Sequence, residues 1–449
     1  MSKLMVSVSG IRGIIGEGLT PLEVVKYTQA FGTYLGSGKV VVGRDSRVTG
    51  EMVKSAVLSG LMAVGCDVID IGVCPTPTVQ MTVEKLQARG GIAVTASHNP
   101  IEWNALKLID SSGLFLDEEQ GKKVIEYAQN EKFNYVIWEN IGKIDRYENA
   151  IQDHIAAIFK LQFIDVDLIR SKKFKVVIDC VNGAGGTFVP QLLSELNCEV
   201  ITLNEEPNGL FPRAPEPVPE NLTELCEKVK SVKADIGFAV DPDVDRLAIV
   251  SEKGVPLGEE YTLALAVNYV AQKKRGPIVV NASVSMAIDD LAKKYHSKVI
   301  RTKVGEVHVS SKMRKENAAI GGEGNGGVIL PELHLGRDAP LGIALTLQQL
   351  AEFDGKVSDL HKSLPQYFQV KKKVNLDQIK PDVAMKKIVE EFSNEKIDRT
   401  DGIKILWEHE WVHIRPSNTE PIIRVMSEAK TQEQAEAICY KFMKFIESL

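Results

Sequence analysis

Three times along this 449-residue chain a short β-branched run is followed by an apolar stretch at helical spacing and then by a second β-branched run. Residues 40–42, 51–64 and 68–73 make the first series, with a further strand at 92–94. Residues 175–178, 188–196 and 199–203 make the second, and 278–280, 287–294 and 299–300 the third. This alternation predicts α/β units on mixed, mostly parallel sheets, because parallel neighbours need a crossover of helix length between them. The end of the chain breaks the pattern. Strands over 371–376, 402–407, 412–414 and 422–426, with helices over 381–392 and 432–447, predict an α+β domain there. The expected division is 1–150, 151–250, 251–368 and 369–449. The stretch 204–219, rich in Pro, Gly and Glu, reads as an ordered surface loop of the second domain.

Composition narrows the function classes. With 44% apolar and 25% charged residues, each domain can bury a core of its own. The formal charge is -6, from 54 Lys+Arg against 60 Asp+Glu, which provides no overall basic field for nucleic acid. No apolar run approaches a membrane span, and Gly10, Arg12 and Gly13 interrupt any leader-like run near Met1. A cytoplasmic protein with neither nucleic acid nor membrane as partner is expected. The six cysteines are scattered with no C-x-x-C pair, so buried free thiols are expected rather than a zinc or redox motif.

Four motifs carry chemistry. Thr95-Ala96-Ser97-His98-Asn99-Pro100 leaves the strand at 92–94 by its carboxyl end, where open α/β sheets place ligands. Taken alone, Ser97 there reads as a turn former rather than a nucleophile. Asp241, Asp243 and Asp245 alternate between two apolar runs, which places three negative charges in one buried loop. They would repel strongly without a cation, and an oxygen donor set suits a hard divalent ion, Mg²⁺ if a phosphate completes the shell. An EF-hand loop starts alike, and Glu252 falls at its twelfth position. Arg246, however, stands where that loop needs Gly, and strands flank it rather than helices.

The third motif is Gly322-Glu323-Gly324-Asn325-Gly326-Gly327. Its glycines let backbone approach a ligand, and Glu323 and Asn325 can each bond adjacent sugar hydroxyls; a plain Gly-rich turn is the other reading. The fourth is Arg415-Pro416-Ser417-Asn418-Thr419-Glu420-Pro421, with Arg424 beyond it. Ser417, Asn418 and Thr419 offer donors and an anion nest, and the flanking arginines can clamp a phosphate. An exposed polar hairpin would account for the turn residues but not for both arginines. Arg12 sits in a Gly-rich N-terminal loop, and Lys107 follows Ser97 closely enough to share a site with it.

Taken in order, G-I-R-G, T-A-S-H-N-P, D-x-D-x-D-R, G-E-x-N-G and R-P-S-N-T-E-P resemble the α-D-phosphohexomutase family over essentially the whole chain. The resemblance implies three related α/β domains and a C-terminal α+β domain around a central cleft, one motif to each. It implies that Ser97 carries the phosphoryl group, with His98 beside it, and that Asp241, Asp243 and Asp245 hold one Mg²⁺ with a phosphoserine oxygen. Arg12, Lys107 and Arg246 would line the reaction centre. Glu323 and Asn325 would contact the sugar, while Arg415, Ser417, Asn418, Thr419 and Arg424 would hold the substrate's other phosphate. The implied reaction exchanges hexose 6-phosphate and hexose 1-phosphate through a 1,6-bisphosphosugar, which also serves as activator, in a monomer or homodimer.

The sugar loop, with Asn325 and Gly327 where many phosphomannomutases and phosphoglucomutases of the family have serine and histidine, looks more like that of phosphoglucosamine mutases and broad-specificity enzymes. Glu306 points the same way, since a carboxylate near C2 can pair with the glucosamine ammonium. It also suits the start of a helix at 306–315 for its own sake. An aspartyl-phosphate enzyme using Asp241 or Asp243, and a silent sugar-phosphate-binding protein, are the rival classes. The mid-chain place of the Asp motif argues against the first, and the complete set of Ser97, Lys107 and three aspartates against the second.

Overall fold

A computed structural model of the protein describes residues 4–7, 10–375, 381–416 and 422–448. It divides into two compact units, Met1–Thr262 with Asn325–Leu360, and Leu263–Gly324 with His361–Leu449.

The first unit holds a seven-stranded sheet in the order Met5–Ser7, Gly10–Ile14, Trp103–Asp110, Gly90–Val94, Gly38–Arg44, Cys66–Val73, Ile144–Arg146. Gly38–Arg44 runs parallel to both its neighbours. Val40, Val42, Ile92 and Val94 face one layer, with Phe31, Val57 and Leu61 of the helices Pro21–Leu35 and Gly50–Ala63. Val41 and Ala93 face the other, with Val79 and Val83 of the helix Thr76–Lys85. Burial on both faces is why these strands read as unbroken apolar runs.

The other half of the sheet is antiparallel, and here the structure departs from expectation. Gly10–Ile14 is a strand rather than a loop, laid along Trp103–Asp110. Gly10 permits it: its φ is 118°, and a Cβ would stand 2.2 Å from the Leu106 carbonyl oxygen. The pairing Arg12↔Ala105 puts Arg12 on the same sheet face as Lys107, two residues along from Ala105.

A four-stranded sheet, Leu247–Ser251, Ile236–Val240, Lys175–Asp179, Glu199–Leu203, completes the strand framework around the Asp motif. Ile236–Val240 is parallel to Lys175–Asp179 and antiparallel to Leu247–Ser251. The connection 241–246 therefore turns back at the carboxyl end of a parallel strand.

The second unit contains the parallel strands Val299–Thr302, Ile278–Asn281 and Ile320–Glu323. It also contains an antiparallel sheet in the order Phe368–Asn375, Ile422–Ala429, Trp411–Pro416, Ile403–Leu406, Lys396–Asp398. Helices Pro381–Glu391 and Gln432–Glu447 pack Ala384, Ile388, Phe442 and Ile446 onto that sheet. The expected α/β and α+β characters both hold, although Leu376, expected to end a strand, lies outside the described residues. Among the described residues no helix is long and apolar enough to cross a membrane. All six cysteines are free, four of them buried.

A buried ion cluster ties the first unit together. Asp338 Oδ2 lies 2.8 Å from His154 Nε2 and 2.9 Å from His334 Nε2, all three side chains being buried. The Gly336 N–H donates to His334 Nδ1, so His334 is the neutral tautomer that donates from Nε2 to Asp338. Asp338 Oδ1 caps the helix Ala339–Glu352 through the Leu341 N–H. Burial alone would raise the Asp338 carboxyl, but the two histidines outweigh it and hold the group well below the ordinary value of 3.8. A depressed carboxyl contributes stability that is complete above its unfolded value and is lost as pH falls below it. Asp338→Ala is expected to cost about 3 kcal/mol at pH 7, through two lost charged hydrogen bonds and a lost cap. Urea midpoints should show the gap to wild type narrowing below about pH 4, and an equal gap at pH 7 and pH 3 would refute the assignment.

Candidate functional site

Ser97 sits just past the strand Gly90–Val94 in the left-handed region, with φ 51°. For a residue with a Cβ this conformation costs about 1–2 kcal/mol, so the surroundings must enforce it. They do. The Ser97 N–H donates to Thr95 Oγ1 at 3.0 Å, and Thr95 Oγ1 donates to Asp45 Oδ2 at 2.6 Å. The Arg47 guanidinium takes the Ser97 carbonyl from the other side at 2.7 Å. So held, Ser97 donates its hydroxyl to Asp241 Oδ2 at 3.0 Å, and His98 Nδ1 lies 3.3 Å from Ser97 Oγ.

Asp241, Asp243 and Asp245 are at most 1% exposed, and one oxygen from each can be chosen so that all lie within 4.8 Å of one another. The loop converges because Asp241 Oδ1 accepts from the Asp245 and Arg246 N–H groups. Val244, at φ 62°, turns the chain between the second and third carboxylates. That conformation is costly for a β-branched residue, and the Val244 carbonyl is pinned by the Ala339 N–H. Thr76 holds Asp243 twice, its N–H on the Asp243 carbonyl at 2.9 Å and its hydroxyl on Oδ2 at 2.6 Å.

Cations answer part of this charge. Lys107 Nζ lies 2.6 Å from Asp243 Oδ2 and 3.3 Å from Asp245 Oδ2, and Arg337 Nη2 donates to Asp245 Oδ2 at 2.6 Å. Burial works against the Lys107 ammonium, but the two carboxylates outweigh it and hold it above its usual value. Lys107 is therefore a fixed positive charge at neutral pH, with no lone pair to serve as a base. Asp243 Oδ1 and Asp245 Oδ1 are buried without a hydrogen-bond donor. An all-oxygen, buried set with two unanswered acceptors fits a hard divalent cation, and nothing in it favours a softer metal.

Arg12 Nη1 donates to Asn99 Oδ1 at 2.8 Å, and Arg246 Nη1 donates to Glu216 Oε1 at 2.7 Å. Glu216 Oε1 is also 3.8 Å from His98 Nε2. Burial, then Arg246 and Arg12, push the His98 imidazole down to about 2, so it is neutral. Asn325 belongs to the same unit, where its buried Oδ1 has no donor and Gly327 packs between it and Arg337. Asp45, Arg47, Thr76, Glu216 and Arg337 are not picked out by the four motifs. Asp45 and Arg47 were open to discovery, since they follow the carboxyl end of the strand at 40–42 as Ser97 follows 92–94. Glu216 and Arg337 arrive from distant loops without a local signal.

The second unit carries its own group. Glu323 Oε1 accepts from Asn281 Nδ2 and from the Gly305 N–H, both at 2.9 Å, so it is bound to the backbone beside Glu306. Glu306 is buried and opens the helix Glu306–Glu316. The Val304 N–H donates to Asp401 Oδ2, and Arg415 Nε lies 3.0 Å from the same oxygen. Arg415 stands directly opposite Arg424 across two antiparallel strands, and Arg424 opposite Lys373 on the next. Three cations in one cross-strand row repel and thus make a natural place for an anion. Ser417, Asn418 and Thr419 lie outside the described residues.

Asp241 gives the site a pH dependence. Burial, then the charges of Asp243 and Asp245, push its carboxyl well above the ordinary 3.8. A cation binds the ionised form and must expel that proton, so affinity should rise by roughly tenfold per pH unit until Asp241 is ionised on its own. Calorimetric titration of Mg²⁺ in buffers of different ionisation enthalpy should show the proton released, and Asp241→Asn should abolish the release. Affinity independent of pH from 5 to 8 would contradict it.

Comparison with known proteins follows this geometry. The phosphoglucomutase/phosphomannomutase family matches over residues 3–135 (alpha/beta/alpha domain I), 152–254 (domain II), 258–368 (domain III) and 359–445 (C-terminal domain). A phosphoglucomutase/phosphomannomutase of Thermococcus kodakarensis is 42% identical, over 98% of this chain and 97% of that one. A probable phosphoglucosamine mutase of Methanopyrus kandleri is 40% identical, over 98% and 96%. The crystal structure of a phosphoglucomutase/phosphomannomutase family protein from Burkholderia thailandensis superposes with a TM-score of 0.86 at 26% identity, covering 99% of this chain and 98% of that one. Matched by all four segments in order, the chain belongs to the phosphoglucomutase/phosphomannomutase family, the α-D-phosphohexomutases.

Proposed function

We propose that this chain is a cytoplasmic mutase that exchanges glucosamine 6-phosphate and glucosamine 1-phosphate through a phosphoserine at Ser97 and a 1,6-bisphosphosugar. Phosphomannomutase or phosphoglucomutase activity is the alternative. The observation that carries the reading is the placement of the Ser97 hydroxyl on Asp241, inside a group of three buried carboxylates with Lys107 and Arg337 beside them. The names of the relatives support the same reaction class.

The sugar's C1 hydroxyl attacks phosphorus of the phosphoserine, the P–Oγ bond breaks, and the hydroxyl proton ends on Ser97 Oγ. The 1,6-bisphosphosugar turns end for end. Ser97 Oγ then attacks the C6 phosphorus, its proton ends on the sugar's O6, and the 1-phosphate leaves. Asp241, Asp243 and Asp245 would hold Mg²⁺, with a phosphoserine oxygen, and the ion would neutralise charge at the phosphoryl group. Lys107, Arg12 and Arg246 add fixed positive charge, which phosphoryl transfer needs more than covalent help. Neutral His98 accepts or donates at Ser97 Oγ without adding charge. Glu323 and Asn325 hold the sugar hydroxyls. Arg415, Ser417, Asn418, Thr419 and Arg424 hold the phosphate that is not reacting, and their binding energy orients the one that is. Glu306, buried at the start of its helix, pairs with the glucosamine ammonium.

The test assays the protein with Mg²⁺ and a trace of 1,6-bisphosphosugar on the 6-phosphates of glucosamine, mannose and glucose. Glucosamine 6-phosphate should rank first, and Ser97→Ala should lose several orders of magnitude on every substrate. Glu306→Gln should lower kcat/KM for glucosamine 6-phosphate by about 10–100-fold, the worth of one charge-assisted contact, and leave glucose 6-phosphate nearly unchanged. Equal losses on both sugars would remove Glu306 from recognition. An active Ser97→Ala would end the phosphoserine reading.

A further inference from the structure

Arg47 lies next to the serine loop, is 1% exposed, and has a guanidinium with five N–H donors. Every one of them is taken. Nε donates to Asp45 Oδ2 at 3.1 Å. Nη1 donates to the carbonyls of Pro100 at 2.6 Å and Trp103 at 2.9 Å. Nη2 donates to the carbonyls of Ser97 and Asn99, each at 2.7 Å. Four carbonyls of a single loop thus converge on one planar cation.

The cation is itself fixed from both sides. Asp45 Oδ1 accepts the Arg47 N–H at 3.0 Å, while Asp45 Oδ2 also holds Thr95, which in turn holds the Ser97 N–H. The Phe211 ring lies over the guanidinium, 5.1 Å from its centroid to Cζ. Phe211 is brought there by Gly209, at φ 73°, where any Cβ would collide with the backbone of residues 46–48. Part of the loop at 204–219 thus serves as the cover of the Arg47 site.

We infer that Arg47 is a positioning residue of the phosphoryl-transfer reaction, the template on which the Ser97 loop is shaped. It cannot be a phosphate ligand, because no donor is left over. With Asp45 and Thr95 it fixes the carbonyl and the N–H of Ser97, and so keeps Ser97 in its left-handed conformation with Oγ turned to Asp241. Lysine offers three donors around a point and cannot serve four carbonyls in one plane. The inference rests on Ser97 as the phosphoryl carrier.

The test compares Arg47→Lys, Arg47→Ala and Ser97→Ala in the full chain with wild type, after near-ultraviolet circular dichroism and Mg²⁺ titration establish that each variant is folded. A misplaced nucleophile loses rate rather than affinity. Arg47→Lys should therefore lower kcat about 100-fold with KM nearly unchanged, and should slow phosphorylation of Ser97 by 1,6-bisphosphosugar, followed by intact-protein mass, to the same degree. Guanidinium ion at low millimolar concentration should restore part of the activity of Arg47→Ala, and methylammonium should not. Arg47→Lys with kcat within about threefold of wild type, a loss expressed in KM, or failure of guanidinium to rescue a folded Arg47→Ala would each overturn the role. If Arg47→Ala does not fold, the Arg47→Lys kinetics decide alone. An inactive Ser97→Ala beside a fully active Arg47→Lys overturns the role of Arg47 only, whereas an active Ser97→Ala overturns the phosphoserine reading as well.

Discussion

Asp241, Asp243 and Asp245 are buried with an oxygen of each within 4.8 Å of the others. At an effective dielectric of about 20, each pair of charges at that range repels by about 3 kcal/mol or more. The surrounding structure is organised to meet this cost. The Asp245 and Arg246 amides stabilise Asp241, Thr76 and Lys107 stabilise Asp243, and Lys107 and Arg337 stabilise Asp245. These partners come from a strand of the first sheet, the start of a helix beside it, and a loop more than 90 residues further along the chain. Lys107 and Arg337 are buried beside the triad, and removing it would take away their ion pairs with Asp243 and Asp245.

Much of this was legible. A D-x-D-x-D loop between two apolar runs and a serine after the strand at 92–94 are local patterns, and local patterns survive in a sequence. Lys107 could be read because it lies near Ser97 along the chain and on the strand next to it. What could not be read was contributed by distance. Arg337 reaches Asp245 across 92 positions, and Glu216 reaches Arg246 across 30. In the sequence the Gly10–Ile14 strand looks like a loop, because its glycines suggest a turn. In the folded protein, Gly10 answers a close approach to Leu106. A glycine reports that space is short or φ unusual; it does not say which.

Residues of the Gly-rich and arginine motifs in the second unit show the same limit in another form. Glu323 and Arg415 belong to different motifs. In the structure Glu323 holds Gly305, the preceding residue Val304 donates to Asp401, and Asp401 holds Arg415. A path through the Glu323 carboxylate, two backbone amides and the Asp401 carboxylate thus links them, and Asp401 lies in neither motif. Likewise Lys373 joins Arg424 and Arg415 only through strand register. Register is a property of pairing, and a single strand's sequence does not contain it.

Satisfied and unsatisfied groups divide the site by task. The Arg47 guanidinium spends all five donors on its own loop and can therefore hold shape without competing for a ligand. Asp243 Oδ1, Asp245 Oδ1 and Arg246 Nε, a few residues apart in one loop, are buried with no hydrogen bond, the last two facing each other only at 3.8 Å. In a protein interior such atoms cost 1–3 kcal/mol each, roughly, and persist where function requires them. Phosphoryl transfer in general calls for both kinds of group: a nucleophile held still, and charge that a ligand can meet. They lie on opposite sides of Ser97: Arg47, past the strand Gly38–Arg44 of the seven-stranded sheet, behind its carbonyl, and the carboxylates, past Ile236–Val240 of the four-stranded sheet, ahead of its hydroxyl.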